Sequence, residues 1–433
     1  MGRRWRKRRL SDGPPDFLNH QKEVVMKYLI SCLAGLFLSL GLAGQPVNGL
    51  ESLGEQHARK NRHQALMAAV VEAGQARYHA FGTLSRALPM APNEETIFEI
   101  GALTGLFTAN LMTKSVLEGV IGYGDPILAY LPAQVEAPIF QPQKCLEVIL
   151  PVAIEGMPQR VVSCSPDPSE PEVCMAFCDL ATHTSGLPNA GFGLYDWHPI
   201  GTVRRLEGPR PGFDREAFFQ RLAQYPLNTA PGTTFRFSNI GIAAIGHLLG
   251  EVKGQPFEAI LQEELLIPLG MTDTRMSVGA EQLHRRAPGH DSRGRPTTYW
   301  DFDGMAPAAG LKSTAKDLAA FLSANLDNTS PQWADIAEQA QQARIDVSFP
   351  GLQRPTQAGY GWLVSVLSPE SNQSVAWMYG GTEGFRAFIG LIKDHGLGIA
   401  LLSNSAVDIR ELGFEMLEAL YLESVPGSAP KEP

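Results

Sequence analysis

Basic residues are too scarce in this 433-residue chain to suggest a nucleic-acid-binding protein. Lys and Arg number 36 against 45 Asp and Glu, which gives a formal net charge of −9. Affinity for nucleic acid comes largely from cations that neutralise phosphates, so this balance offers no general electrostatic reason for such binding. Hydrophobic residues make up 44% of the chain, which excludes wholesale disorder and provides enough apolar material for a buried core.

The sequence also lacks the short motifs of common cofactor and metal sites. It has no G-x-x-x-x-G-K-[ST] phosphate loop, no H-E-x-x-H zinc helix and no G-x-S-x-G nucleophile turn. Cys174 and Cys178 fit one face of a helix, but no His or further Cys lies nearby at ligand spacing. We therefore expect neither a metal nor a cofactor.

Cysteine is sparse, and its placement matters more than its number. Of five cysteines, Cys32 lies in an apolar segment near the amino terminus, and the others are Cys145, Cys164, Cys174 and Cys178. In an oxidising compartment an even set of four allows three pairings. We expect at least one disulfide and leave the pairing open; the alternative is four reduced, partly buried thiols.

Residues 1–43 have the features of a basic leader plus an export signal. They hold eight basic and three acidic residues, so the remainder carries 28 against 42 and a net charge of −14. After Met26 and Lys27, a 16-residue apolar run ends in Gly-Leu-Ala, small residues typical of a cleavage point. The run is shorter than the ~20 residues of a membrane-spanning helix. We predict a periplasmic or secreted bacterial protein that starts at Met1 or Met26 and meets a membrane only through an uncleaved signal.

Two segments near opposite ends of the chain each predict a β-hairpin. Apolar runs at 65–71 and 76–81 flank the turn-forming sequence EAGQ. Likewise, apolar runs at 387–392 and 397–402 flank the sequence KDHG. Strands at both ends predict one antiparallel sheet that joins distant segments.

Helical patterns fill much of the region between these hairpins. Apolar residues at helical spacing predict helices over 104–119, 242–254 and about 313–322, and a terminal helix over 408–422. The segment 326–358 is polar and is predicted to be rich in loops. These elements predict an α+β fold in which helices flank the sheet and a mainly helical lobe is inserted in the middle.

The segment 132–175 is predicted to be an insertion or flap on a single two-lobed domain that spans 44–425. It is rich in Pro and polar residues, has one strand-like run at 146–154, and contains three of the four remaining cysteines. A Pro-rich tail follows at 426–433.

Six segments, in order between about residues 50 and 422, carry a recognisable set of motifs. They are FEIGALTGLFTA at 98–109, LATHTSGLP at 180–188, FSN at 237–239, PLGM at 268–271, GLKSTA at 310–315 and MYGGTEGF at 378–385. Together they resemble the serine β-lactamase and penicillin-binding-protein superfamily, in particular its class C β-lactamase and D-Ala-D-Ala carboxypeptidase branch. The resemblance implies a β-lactamase/transpeptidase-like fold, an α/β sandwich with an inserted helical lobe.

By resemblance, four catalytic positions have lost their functional groups. Ala102 stands where the family has its nucleophilic serine, and Gly105 stands where it has a lysine one helical turn further on. Phe237 replaces the tyrosine that acts as acid and base, and Met378 replaces the Lys or His of the third motif. Asn239 is the one side chain of the catalytic set that remains. The chain is therefore predicted to be a catalytically inactive member of a serine hydrolase fold.

These substitutions leave the hydrogen-bonding groups of the main chain in place. The resemblance implies an oxyanion hole made by the N–H groups of Ala102 and Gly381, and changing side chains does not delete N–H donors. With Asn239, Gly380 and Thr382, these residues are the expected remnant of the substrate-binding cleft. Such a pocket can hold a carbonyl or a carboxylate without attacking it.

These observations favour a non-catalytic binder of peptidoglycan-like peptides or of a protein partner. The alternative is an active serine hydrolase (a β-lactamase, D-Ala carboxypeptidase or esterase) with a relocated nucleophile. A third possibility is an interaction module that uses the flap at 132–175.

The side chains that could take over the lost catalytic roles are better explained by structural roles. Ser313 and Lys316 form a literal S-x-x-K, but Ser313 is expected to be a helix N-cap. Ser185 follows His183 at i+2, and such residues do not face each other on a helix, so both are expected to be structural. Glu383, the one ionisable newcomer beside the third motif, is expected to be solvated.

Overall fold

The computed structural model describes residues 49–60, 65–154, 157–189, 195–197, 203–205, 213–326, 330–347, 354–369 and 371–424. The strands are β1 (Ala65–Glu72), β2 (Gln75–Gly82), β3 (Phe98–Glu99), β4 (Ile139–Phe140), β5 (Gln143–Ile154), β6 (Met157–Pro166), β7 (Val173–Cys174), β8 (Tyr195–Trp197), β9 (Val203–Arg205), β10 (Gly289–His290), β11 (Pro296–Thr297), β12 (Lys312–Ser313), β13 (Ile345–Val347), β14 (Thr356–Ala358), β15 (Leu363–Val366), β16 (Ser374–Gly381), β17 (Arg386–Ile392) and β18 (Leu397–Ser403). The α-helices are α1 (Leu50–Lys60), α2 (Thr104–Leu117), α3 (Phe177–Ala181), α4 (Arg215–Leu222), α5 (Asn239–Lys253), α6 (Phe257–Leu261), α7 (Ala306–Ala309), α8 (Ala315–Leu326), α9 (Pro331–Gln341) and α10 (Arg410–Ser424). The predicted leader at 1–43 and tail at 426–433 lie outside the described residues.

The largest sheet has eight strands in the order β13-β14-β15-β16-β17-β18-β1-β2, and each neighbouring pair is antiparallel. β1 lies between its hairpin partner β2 and β18, with Leu66 opposite Ser403. Both predicted hairpins therefore form, and they join side by side in one sheet.

Helices cover both faces of this sheet. On one face, Leu322 of α8 fills the space beside Gly398 of β18, since a Cβ on Gly398 would lie only 2.9 Å from Leu322 Cδ2. On the other face, Phe388 of β17 meets Phe414 of α10, with ring centroids 5.6 Å apart. Burial on both sides explains why β1 is apolar along nearly its whole length instead of alternating.

The second lobe is built around α2, which is buried from Thr104 to Thr113. Phe107 of α2 stacks on Phe321 of α8 at 4.3 Å between ring centroids, and this contact ties the helical lobe to the sheet. α5 packs along α2 and against α7, where Gly246 lets Pro307 approach closely. The predicted α+β class, an antiparallel sheet flanked by helices with a mainly helical lobe, is confirmed.

The segment 132–175 contains a two-stranded hairpin formed by β5 and β6. A disulfide joins Cys145 to Cys164 across the two strands. The expectation of at least one disulfide is thus confirmed, and a single disulfide is formed among the described residues. Cys174 and Cys178 are free thiols, both partly buried.

Two sequence-based expectations about local structure are wrong. The flap was expected to hold one strand at 146–154, and β6 was missed because its sequence MPQRVVSCSP mixes proline with polar residues. The segment 326–358, expected to be rich in loops, contains α9, β13 and β14. α9 begins at Pro331 and buries one isoleucine and two alanines, an apolar stripe too narrow to stand out in the sequence.

Candidate binding cleft

A cleft of about 740 Å³ opens where the end of β16 meets the first turn of α2. Its lining includes all five residues expected to form the remnant binding site, namely Ala102, Asn239, Gly380, Gly381 and Thr382. They come from three segments that are far apart in the sequence. The fold therefore brings the expected set together in one concave surface.

Two glycines allow the main chains on either side of the cleft floor to touch. Gly101 has φ of 52°, and a Cβ there would lie 2.7 Å from the backbone N and O of Gly381. A Cβ on Gly380 would lie 2.0 Å from Ile100 O and 3.0 Å from Ala102 N. Because neither position can carry a side chain, the backbone of Ala102 is held directly against that of Gly380 and Gly381.

Ala102 and Gly105, the residues expected at the family's serine and lysine positions, carry no reactive side chain. Ala102 lies in the short 3-10 turn Gly101–Leu103 and is partly exposed to the cleft. Gly105 is buried one turn further on, where a Cβ would lie 3.4 Å from Ile242 Cγ2 of α5. That distance is an ordinary van der Waals contact, so the surroundings are apolar but do not forbid a side chain.

Phe237, expected at the position of the family's tyrosine, lines the cleft and has no hydroxyl group to present there. Its ring packs on His183 at 4.4 Å between centroids. His183 is 3% exposed, and its Nδ1 accepts the Ser238 N–H at 3.2 Å. Burial lowers the pKa of His183 to about 4, so the imidazole is neutral near pH 7. His183 therefore supports Phe237 and the chain entering α5.

The start of α5 positions the one retained side chain, Asn239. The Ser238 hydroxyl accepts the Gly241 N–H at 3.1 Å and donates to Pro188 O at 2.7 Å, which caps the helix. Asn239 Nδ2 then donates to Asn189 Oδ1 at 3.1 Å, and both asparagines line the cleft. Two neutral amides suit the hydrogen-bonding groups of a peptide backbone.

Met378 is 2% exposed within β16 and is not among the cleft-lining residues. The next residue, Tyr379, forms the wall instead, and the Arg410 guanidinium lies 4.9 Å from its ring centroid. Burial raises the pKa of Tyr379, which keeps its hydroxyl protonated. The third motif thus contributes a phenol and backbone to the cleft but no cation of its own.

A short loop between β10 and β11 overhangs the cleft. Asp291 Oδ1 accepts the N–H groups of Arg293 and Arg295, each at 2.9 Å, and Asp291 Oδ2 accepts Arg295 Nε at 2.7 Å. These hydrogen bonds, led by the Arg295 amide, lower the pKa of Asp291 to about 2. The loop is therefore held in one shape, with Arg293 exposed beside the cleft.

Arg386 brings a positive charge next to the backbone of Gly381. The two residues are directly opposite in the β16–β17 register. Arg386 Nη1 donates to Thr382 O at 2.6 Å and to Phe385 O at 2.7 Å, which anchors the guanidinium. A Cβ on Gly381 would lie 2.8 Å from Arg386 Nη1 and 3.1 Å from its Cζ. The cation is thus packed against the residue expected to supply one oxyanion-hole N–H.

A buried carboxyl group, Glu99, lies close to Thr382 behind the cleft wall. Glu99 is 1% exposed, and its Oε1 accepts the Trp300 N–H at 2.5 Å. Burial raises the pKa of Glu99, while hydrogen bonds from the Thr382 side chain and the Trp300 N–H, and then the charges of Lys312 and Arg286, oppose that rise. Glu99 therefore holds its proton to a higher pH than an exposed glutamate.

The candidate replacement serines are buried away from the cleft. Ser313 is fully buried in β12, and its hydroxyl bonds to Thr274 Oγ1 at 2.8 Å. The expectation that Ser313 caps a helix is wrong, because Thr314 Oγ1 accepts the Asp317 N–H and caps α8. Ser185 is 1% exposed, and its hydroxyl accepts the N–H two residues on. Ser185 is therefore part of a turn, in keeping with the structural role expected for it.

The sequence analysis did not predict that arginines line the cleft. The apolar pattern starts the strand at 387, one residue after Arg386, because a charged residue interrupts the run. If the predicted strand had begun one residue earlier, it would have placed Arg386 opposite Gly381 across the turn. Nothing in the sequence links Arg293 to the third motif. Glu383, expected to be solvated, is half-buried and lines the cleft.

In the part of the chain that the structure describes, no cluster of three or more His, Cys, Asp or Glu side chains is arranged to hold a metal ion. Within the same residues, no helix is both long and apolar enough to cross a bilayer.

The eight-stranded sheet, the inserted helical lobe and the cleft at the start of α2 together define the fold class of β-lactamases and related penicillin-binding proteins. A class C β-lactamase from Rhodobacter sphaeroides has this fold, with a TM-score of 0.65 at 19% identity over 86% of this chain and 97% of that one.

Sequence relatives agree with the fold. A β-lactamase of Pseudomonas fluorescens is 24% identical over 368 residues, which cover 78% of this chain and 88% of the relative. The D-alanyl-D-alanine-carboxypeptidase/endopeptidase AmpH of Escherichia coli K12 is 23% identical over 336 residues, 76% of each chain. The family model described as Beta-lactamase matches residues 50–416. The chain belongs to this β-lactamase family, in the class C-like branch of the serine β-lactamase and penicillin-binding-protein superfamily.

Proposed function

We propose that this protein is an exported, non-catalytic member of its family that binds peptidoglycan-like peptides, or a protein partner, in the cleft. The proposal rests mainly on one observation. None of the four residues expected at the catalytic positions has a side chain that can act as nucleophile, base or proton donor; they are Ala102, Gly105, Phe237 and Met378. The cleft beside them, with Asn239 and the apposed backbones, is nevertheless open and lined with hydrogen-bonding groups.

The size of the expected loss in reaction rate favours binding over turnover. Removing the groups that act as nucleophile and base typically lowers the rate of an acyl-transfer enzyme by ~10⁴–10⁶-fold, and the remainder comes from the oxyanion hole and substrate binding. Hydrogen-bond donors on the backbone of Ala102 and Gly381 survive the substitutions, so affinity for a peptide carbonyl or carboxylate is retained when rate is lost. The peptide class is suggested by the D-alanyl-D-alanine carboxypeptidase among the relatives.

The competing proposal, an active hydrolase with a relocated nucleophile, has less support. Ser313 and Ser185 are both buried and bonded within the protein. Export is proposed from the basic leader and apolar run of residues 1–43 alone.

The proposal is tested with the mature protein and a fluorescent penicillin. We expect no covalent band on a denaturing gel, and background hydrolysis of a chromogenic cephalosporin and of a short ester. A labelled protein band, or ester turnover abolished by Ser313→Ala, would favour the active hydrolase instead.

A restored variant provides the positive control. Combining Ala102→Ser, Gly105→Lys, Phe237→Tyr and Met378→His returns the four groups to their family positions. We expect this folded variant to form a covalent adduct with penicillin because the backbone donors are already in place. If the variant folds and still neither labels nor binds a D-Ala-D-Ala peptide, the cleft is not a peptide site.

A further inference from the structure

The cleft has an excess of positive charge on a protein whose net charge is −9. The lining includes three arginines, Arg293, Arg295 and Arg386, and two carboxylates, Asp291 and Glu383. Asp291 is engaged by Arg295 and by the amides of its own loop. An anionic ligand is therefore favoured here although the chain as a whole repels anions.

One of these cations, the Arg386 guanidinium, is anchored beside the end of β16. It is fixed by two hydrogen bonds to backbone carbonyls and packs against Gly381. Gly381 in turn is held against the turn that contains Ala102. The two residues expected to supply the oxyanion-hole N–H groups, Ala102 and Gly381, thus lie in the same part of the cleft as the positive charge of Arg386.

In an acyl-transfer enzyme, an oxyanion hole receives the oxygen of the scissile carbonyl, which is uncharged in the bound substrate. Hydrolysis converts the same carbon into a carboxylate. A fixed guanidinium beside the hole favours the ionised product over the neutral amide, since charge-assisted hydrogen bonds are roughly twice as strong as neutral ones.

We infer that the cleft binds the free carboxylate of a cleaved peptide between Ala102, Gly381 and Arg386, in preference to the corresponding amide. The ligand class is a short peptide whose C-terminal carboxylate directly follows the L-Lys-D-Ala pair, the product of a D,D-carboxypeptidase reaction performed elsewhere; the uncleaved peptide carries its carboxylate one residue further from the lysine. This inference rests on the proposed peptide-binding function and adds to it the state of the peptide that is bound.

The test compares three synthetic ligands by isothermal titration or by NMR: diacetyl-L-Lys-D-Ala, its C-terminal amide, and diacetyl-L-Lys-D-Ala-D-Ala. We expect the acid to bind about tenfold or more tightly than its amide, and at least as tightly as the uncleaved peptide. Higher salt should reduce the ratio of acid to amide affinity.

Variants assign the effect to the arginine. Arg386→Gln should bring the acid-to-amide ratio close to one, and Arg386→Lys should retain part of it. Glu383→Gln removes a carboxylate from the cleft and leaves in place the Thr382 and Phe385 carbonyls that anchor Arg386, and it should raise the ratio several-fold. Arg59→Gln, on the exposed face of α1, is the matched control and should leave the ratio unchanged.

The outcomes separate this inference from the function on which it rests. Equal affinities for acid and amide, or a ratio unaffected by both Arg386→Gln and Glu383→Gln, would overturn the carboxylate site while leaving a peptide binder. Failure of the folded protein to bind any of the three ligands would overturn both.

Discussion

Gly101 and Gly105 lie one helical turn apart, yet their surroundings constrain them in opposite ways. Gly101 has a positive φ and touches the backbone of Gly381, so no side chain fits there. Gly105 faces Ile242 at van der Waals distance. The first glycine is required by the geometry of the cleft floor, whereas the surroundings of the second do not require a glycine.

This contrast predicts opposite effects of two matched substitutions. Gly101→Ala should lower the free energy of unfolding by ~1–3 kcal/mol, because alanine is strained in the left-handed region and its methyl group meets Gly381. Gly105→Ala should leave stability unchanged or raise it by up to ~1 kcal/mol, because helical glycine carries an entropic penalty. Urea denaturation of both variants measures the difference. Equal destabilisation would mean that the Gly105 site is closed, and that the restored lysine cannot be accommodated.

At the residue scale, the sequence predicted which groups meet in the cleft but not the charges around them. Ala102, Asn239, Gly380, Gly381 and Thr382 were found through their motifs, and they lie together. The guanidinium groups could not be found in that way, because a charge acquires its role from strand register and loop position. Those features depend on contacts between segments that no local pattern records.

At the scale of elements, the flap hairpin stands apart from the rest of the fold. β5 and β6 pair with each other and form a separate two-stranded sheet. A lone hairpin of this kind is marginally stable in water, so the Cys145–Cys164 disulfide is expected to hold it together. The 19-residue separation of the two cysteines corresponds to about 3 kcal/mol in a chain-entropy model.

Replacing both Cys145 and Cys164 by Ser should therefore loosen the hairpin without unfolding the core. Limited proteolysis of the variant should cut within 143–166 at least several-fold faster than in the parent protein. The midpoint of thermal unfolding should move by no more than a few degrees. Cys174→Ser with Cys178→Ser is the control and should leave cleavage in the hairpin unchanged. A large fall in the unfolding midpoint would mean that the hairpin supports the core.

Elements were predictable where their apolar pattern is strong. The runs at 65–71 and 397–402 become the adjacent strands β1 and β18, because strands buried on both faces are apolar throughout. α9 was not predicted, since its buried stripe is mostly alanine. The sequence predicted one sheet that joins distant segments but not the pairing of β1 with β18, because periodicity describes one segment at a time.

At the scale of the whole molecule, two buried histidines couple stability to pH. Burial lowers the pKa values of His183 and His247 to about 4 each. Below the ordinary value of about 6.5 the unfolded chain binds protons at both residues, while the folded protein does not. The contribution of these two histidines to the free energy of unfolding should therefore be complete above pH 6.5. It should fall as the pH approaches 4, by about 1.4 kcal/mol per pH unit for each histidine.

Urea denaturation between pH 4 and 8 tests this dependence. Replacing His247 by Gln should reduce the acid slope by about half, whatever its effect on stability at pH 7. His284→Gln, at an exposed position, serves as the control and should leave the slope unchanged. An unaltered slope in the His247 variant would assign acid sensitivity to other groups.

The pairing of β1 with β18 also bears on the order in which the molecule can be made. As the chain leaves the ribosome, β1 and β2 emerge early and can form their hairpin, but the inner edge of β1 has no partner until β18 has been synthesised. An apolar strand with an open edge is a template for unwanted association, and domains with such long-range pairing fold slowly. Nearly the whole chain must therefore be synthesised before the central strands of the sheet can pair. A chain that ended between Arg386 and Leu397 would keep every cleft residue up to Arg386 and still lack β18, the strand that joins β17 to β1.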